Sequence, residues 1–250
     1  MLQVFGVRLF EPPVAAVAAA PAAAPAPAVA EALIAAAPTL AAKVAAAPVR
    51  HALPALRADV AELGWDALRE AVAACQACAL SQSRHQTVFG VGHPRAHWMI
   101  VGEAPGEQED RQGEPFVGPA GALLDNMLRA IGLTRDEAPP ERQVFIANTL
   151  KCRPPKNRNP DPAETAQCAP FLERQIALVQ PRIILAMGRF AAQALLASDE
   201  PLGKLRGRIH QYRGVPVVVT YHPAYLLRTP SDKARSWEDL CLAATVVQRS

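Results

Sequence analysis

The chain has 250 residues, with 26 Lys and Arg against 23 Asp and Glu for a net charge of +3, and half of it is hydrophobic although aromatics contribute only 5%. That length fits one domain of about 190 residues plus an appendage. So small a net charge does not by itself mark a nucleic-acid binder. Residues 14–47 are almost entirely Ala, Pro and Val, a low-complexity tract that cannot bury large side chains and reads as a flexible or polyproline-II-like arm, with room for a short helix over 30–37. Its prolines at 21, 25, 27 and 38 and its dominance by Ala argue against a membrane span. No basic stretch precedes a compact apolar core, as a cleaved secretory signal requires. A cytoplasmic protein is expected, in a compartment that keeps its cysteines reduced and free to bind metal. The arm (1–57) reads either as a linker to a protein partner or as a compositional by-product of GC-rich coding, and 58–250 as the folded domain.

Beyond the arm, helices alternate with short apolar strands. Residues 59–74 read as an amphipathic helix that delivers the chain to Ala74-Cys75-Gln76-Ala77-Cys78. A strand at 97–101 leads into the loop Gly102-Glu103-Ala104-Pro105-Gly106, and 120–131, with Leu123, Leu124, Met127, Leu128 and Ile131 at helical spacing, form the next helix. A strand at 144–147 and a helix at 163–180 follow, the helix with Asp161 as cap and Pro162 in its first turn. Then come a strand at 182–187, a helix at 189–197, a strand at 215–220 and a last helix at 231–247. Apolar runs separated by helices predict a three-layer α/β/α sandwich around a short, largely parallel sheet. In such sheets, sites form beyond the carboxyl ends of strands. The loops starting at Gly102, at Asn148 and at Tyr221-His222 satisfy that placement.

Cys75 and Cys78 have the spacing that lets one tight turn present two thiolates to a single centre, and Cys152 and Cys168 lie far downstream. Four thiolates suit a tetrahedral zinc or an iron-sulfur cluster, and spacing alone does not separate the two. A redox-active pair or small core residues are the blander readings. Cys241, in an apolar helical context, reads as a core thiol. Lys151, Arg153, Lys156 and Arg158 crowd one loop, and Lys204, Arg206, Arg208 and Arg213 another. These are either two basic loops flanking a cleft or ordinary solvated charge.

Resemblance to a family becomes specific in the loops. The run from Gly102-Glu103-Ala104-Pro105-Gly106 through Glu109-Asp110 to Gly113-Glu114-Pro115-Phe116-Val117-Gly118-Pro119-Ala120-Gly121 resembles the first motif of the family 4 uracil-DNA glycosylases. Asn148-Thr149-Leu150-Lys151-Cys152-Arg153-Pro154-Pro155 resembles their second motif, and His222-Pro223 their third, with Ala224 where Ser is frequent. The likeness covers residues 68–247 and not the arm. It implies that Cys75, Cys78, Cys152 and Cys168 ligate a structural [4Fe-4S] cluster rather than zinc. It also implies a DNA repair hydrolase that releases uracil from single- or double-stranded DNA and leaves an abasic site, acting as a monomer and away from membranes.

Uracil stacked in DNA is out of reach, so such an enzyme must extrude the base into a pocket. The resemblance places Phe116 for stacking on it, and Asn148, whose amide offers both donor and acceptor, for reading O4 and N3–H. Ala104, Asn157 and Glu109 fall on other substrate-binding positions, Glu109 shaping the pocket against the thymine 5-methyl. His222 is placed to donate to uracil O2, and Glu103 to position water and stabilise the oxocarbenium-like sugar. Lys156, Arg158 and Arg228 are candidate DNA contacts, with a leucine beside Arg228 to fill the gap left by the base. No Lys is placed by motif to form a Schiff base, so strand cleavage is not expected. A family 5-like glycosylase, which would carry an apolar residue in place of Glu103, and a non-catalytic iron-sulfur DNA-binding module of replication proteins are the alternatives.

Overall fold

Four short apolar runs, each too buried to tolerate an unpaired backbone group, are joined by hydrogen bonds into the centre of the protein. In the computed structural model, which describes residues 60–248, they belong to one sheet of β1 (Val91–Gly92), β2 (Trp98–Gly102), β3 (Phe145–Asn148), β4 (Ile183–Met187), β5 (Ile209–Tyr212) and β6 (Val215–Thr220), in the order β1-β3-β2-β4-β6-β5. The inner pairs β3/β2, β2/β4 and β4/β6 are parallel, while the edge strands β1 and β5 pair antiparallel. Register levels the carboxyl ends: Gly102 lies opposite Asn148, Val101 opposite Ala186, and Met187 opposite Thr220. The expectations about residues 1–57 lie outside the described residues.

Alternate residues of the inner strands go to opposite faces, and each face is covered, which is why these strands are continuously apolar. Met99, Val101, Ile184, Ala186, Val217 and Val219 pack with Leu68 and Val72 of α1 (Trp65–Ala73), Phe171 and Ile176 of α4 (Pro162–Val179) and Ala191 and Leu195 of α5 (Arg189–Leu196). Trp98, Ile100, Leu185, Met187 and Val218 pack with Leu124 and Leu128 of α3 (Pro119–Ala130) and with Leu240 and Ala243 of α8 (Lys233–Gln248). The result is the three-layer arrangement expected, around a largely parallel sheet whose two edge pairs are antiparallel.

Local differences from the sequence pattern have local causes. The helix expected over 59–74 is split: Val60–Glu62 form a 3-10 turn, and α1 starts only after Gly64, whose extended backbone serves as the cap. α2 (Glu107–Gln112) has no apolar stripe to announce it; it is bounded by Gly106 and by Gly113, whose φ of 78° ends it in the left-handed region. Short α6 (Leu202–Leu205) and α7 (Pro223–Arg228) are likewise below the length at which periodicity can be read. Asp161 caps α4 as expected, accepting from Ala163 N at 2.8 Å. Cys241 is half-buried on α8 rather than a core thiol.

Candidate functional site

The four levelled strand ends open into a cleft of about 710 Å³ lined by Glu103, Ala104, Glu109, Asn157, Arg158, His222 and Arg228. Asn148 and Phe116, each about 2% exposed, are not part of that lining; Phe116 is joined to it through its ring contact with His222. Gly102 permits this convergence: a Cβ there would collide with Asn148 Oδ1 and lie 2.6 Å from the Phe116 ring. Lys156, by contrast, is exposed and is not part of the lining.

The loop after β2 is shaped by one carboxylate. Glu109 accepts from Gly106 N and, at 2.9 Å, from Phe116 N, so a single side chain ties the start of α2 to the residue that carries the ring. Burial raises the Glu109 carboxyl above its ordinary range, opposed by those two N–H donors and by Arg135. Phe116 itself sits at φ 55°, a conformation rare for a bulky residue. Its ring stacks on His222, with centroids 5.3 Å apart and 27° between planes.

Asn148 ends β3, and its Nδ2 is buried with no hydrogen-bond partner. A buried amide donor without a partner costs about 1–3 kcal/mol, which an incoming acceptor would offset.

His222 caps α7, with Nδ1 accepting from Ala224 N at 3.2 Å. That bond occupies the Nδ1 lone pair and leaves the proton of a neutral ring on Nε2. Burial, reinforced by the nearby positive Arg228, pushes the imidazole down to about 4, so at neutral pH it is an uncharged donor. Glu103 is shifted the other way, up to about 6, by burial, with Arg189 opposing. Arg189 enters from the loop after β4, which sequence reading passed over as merely a helix start. Gly188 precedes it at φ 88°, and a Cβ there would come within 3.1 Å of the His222 Cβ. The signal was available: Met187-Gly188 ends an apolar run in the same strand-loop-helix pattern as the other three loops. Tyr221, also in the lining, is held between Arg206, 4.2 Å from its ring, and Tyr225, at 5.0 Å.

Neither basic cluster is a uniform DNA-facing patch. Lys151 is fully buried, Arg206 is paired with buried Asp239 at 2.7 Å, Arg158 is bonded to Glu164, and Arg153 reaches Glu107 and the Asn157 Oδ1. Charge counting in sequence does not see burial or partners dozens of residues away.

Cys75, Cys78, Cys152 and Cys168 line a second, small pocket below the loop after β3, together with Arg84 and Lys151. Arg84 Nη1 donates to Cys152 Sγ at 3.0 Å and Lys151 N to Cys168 Sγ at 3.2 Å. Burial pushes the Cys168 thiol up to about 12 and raises that of Cys152. The lining holds four sulfurs in an apolar wall with no carboxylate; cationic and N–H donors there would stabilise thiolates, the form in which cysteine binds a metal centre. Among the described residues no three His, Cys, Asp or Glu side chains are gathered as for a single ion, and no helix is long and apolar enough to cross a membrane.

A mostly parallel sheet whose carboxyl-end loops converge polar groups on a pocket is the ligand site of an α/β enzyme. Residues 89–243 match the model of the Uracil DNA glycosylase superfamily. The chain is 43% identical over 173 residues to the type-4 uracil-DNA glycosylase of Sulfurisphaera tokodaii, covering 66% of this chain and 76% of that one. It is 42% identical over 183 residues to the type-4 enzyme of Pyrobaculum aerophilum, covering 70% and 90%, and 40% identical over 173 residues to that of Archaeoglobus fulgidus, covering 66% and 83%. The chain belongs to the uracil-DNA glycosylase superfamily, as a type-4 member.

Proposed function

We propose that the domain hydrolyses the N-glycosidic bond of a deoxyuridine extruded from DNA, releasing uracil and leaving an abasic site for base excision repair. The observation that carries this is the buried, partnerless Nδ2 of Asn148. Uracil O4 would accept from Nδ2 while N3–H donates to Oδ1; cytosine presents the reverse pattern on that edge and leaves both groups opposed. Phe116 and the Phe116–His222 stack give the base an aromatic surface. The proton that the α7 cap leaves on His222 Nε2 supplies a donor for uracil O2, where negative charge grows as the bond breaks. Glu103 faces the other charge, stabilising the cationic sugar and orienting water toward it. Ala104 and Asn157 border the base, Glu109 maintains the wall against a 5-methyl group, Arg158 and Arg228 meet the backbone, and Lys156 approaches DNA outside the cleft. Leu226 is buried whereas Leu227 is 44% exposed, so Leu227 is the side chain free to enter the vacated stack. No Lys lines the cleft among the described residues, in keeping with hydrolysis without strand cleavage.

The four cysteines are assigned to a [4Fe-4S] cluster, which when bound would supply a covalent staple between the segment after α1, the loop after β3 and α4. Uracil-bearing DNA, single- or double-stranded, is the partner. Glu103 and His222, shifted in opposite directions so that at neutral pH one is a carboxylate and the other an uncharged donor, favour this over a non-catalytic module, and Glu103 itself weighs against the family 5-like reading.

The test is alkali-revealed cleavage of labelled oligonucleotides carrying U:G, U:A, T:G or single-stranded U by anaerobically purified protein. Uracil-dependent cleavage with little on T:G is expected; no release by iron-loaded protein would overturn the reading. The pH profile probes Glu103 separately. If its carboxylate is required, kcat/KM falls as pH drops through about 6 and Glu103→Gln flattens that limb while lowering activity about 10- to 100-fold. Because the folded value lies above the unfolded 4.5, protonation favours the folded state: that stability is complete below 4.5 and lost as pH rises through 6. Glu103→Gln should therefore raise stability at pH 8 by on the order of 1 kcal/mol, discounted for partial exposure, or about 2–4 °C in the melting midpoint.

A further inference from the structure

Lys151 is among the largest fully buried side chains of the protein, and none of the roles assigned above uses it. Its Nζ donates to the Asn148 carbonyl and to Gln175 Oε1, both at 2.7 Å, and Gln175 Nε2 passes on to Phe89 O at 2.8 Å. The Asn148–Thr149 peptide is thus gripped from both sides, because Thr149 N donates to Gly102 O at 3.0 Å while Lys151 holds the carbonyl of the same plane. Fixing that plane fixes the direction in which the Asn148 side chain leaves the strand. The backbone N–H of Lys151 meanwhile donates to Cys168 Sγ, and its carbonyl accepts from Val88 N at 2.8 Å.

We infer that Lys151 is a positioning residue for base recognition: its buried side chain clamps the peptide that aims the Asn148 amide, and its main chain ties that peptide to the four-cysteine site. The inference rests on the reading of Asn148 as the uracil-binding residue. An apolar core side chain would fill the same volume, so the polar role predicts a defect that volume does not. Misplacing a recognition group by about 1 Å costs on the order of 100-fold in rate.

The experiment measures single-turnover uracil release, DNA affinity, iron content and melting midpoint for holoprotein carrying Lys151→Met, Asn148→Ala or both. Lys151→Met should lower the rate about 10- to 100-fold with iron content and DNA affinity unchanged, and should add less than about twofold in the Asn148→Ala background, the non-additivity expected of groups acting through one another. Full activity of Lys151→Met, or an equal loss in both backgrounds, would overturn the inference while leaving Asn148 in place. Full activity of Asn148→Ala would instead overturn the reading beneath it. Should Lys151→Met not retain iron, Gln175→Leu carries the test, with the same Asn148-dependent pattern at about 3- to 10-fold; loss of iron there too would assign the pair to the cysteine site alone and overturn the inference.

Discussion

Replacing Asn148 by Ala is expected to cut uracil release by about a thousandfold or more, because a site built around hydrogen bonds to one edge loses its discrimination when that pairing goes. The loss should fall on the chemical step rather than on DNA binding, since Arg158 and Arg228 are exposed residues of the cleft lining whereas Asn148 is buried. Single-turnover rates alongside gel-shift affinity separate the two. The folded protein should be slightly more stable, since the substitution removes a buried donor that has no partner. Retention of uracil release with a lower melting midpoint would make Asn148 a structural residue.

His222→Asn is the second large effect, expected to slow release by about 100- to 1,000-fold. Asn is chosen because its Oδ1 can take over the acceptance from Ala224 N that caps α7, so the loop keeps its shape while the donor at the Nε2 position is lost. Because burial holds the imidazole at about 4, wild-type activity should show no inflection near 6.5 from this residue. The sign matters: a catalytic imidazolium would lose activity as pH rises through its pKa, whereas a neutral donor loses it only as pH falls toward 4. A profile that declines between pH 6 and 7.5 on the alkaline side would contradict the neutral form.

The central strands were readable from sequence because they are buried on both faces and so are apolar without alternation. The edges were not. β1 is two residues long, and β5 is Ile-His-Gln-Tyr with its first and third residues exposed, a pattern no different from a polar loop. Asn148, Glu103 and His222 could be singled out because each follows an apolar run and falls in a motif of the resemblance; Glu103 and His222 line one cleft, and Asn148 is buried. Their electrostatic state could not. The His222 tautomer depends on a backbone N–H two residues on, and the Glu103 shift is set by burial in the folded protein, with Arg189 at the start of α5 opposing it. Lys151 was misread for the same reason, as one more basic residue in a basic loop. Only packing distinguishes it from Lys156, five residues along and exposed.

The levelled register of β2, β3, β4 and β6 makes the cleft an all-or-nothing construction with respect to insertion. A strand presents successive side chains to opposite faces, so one residue added to β3 would turn the Asn148 amide to the other face of the sheet and send an alanine in its place, with no half-working intermediate. Changes in the loops beyond those ends carry no such penalty. Divergence among proteins built this way should therefore run through substitutions and loop-length changes above the sheet, while the spacing from Trp98 to Gly102 and from Phe145 to Asn148 stays fixed like the teeth of a gear.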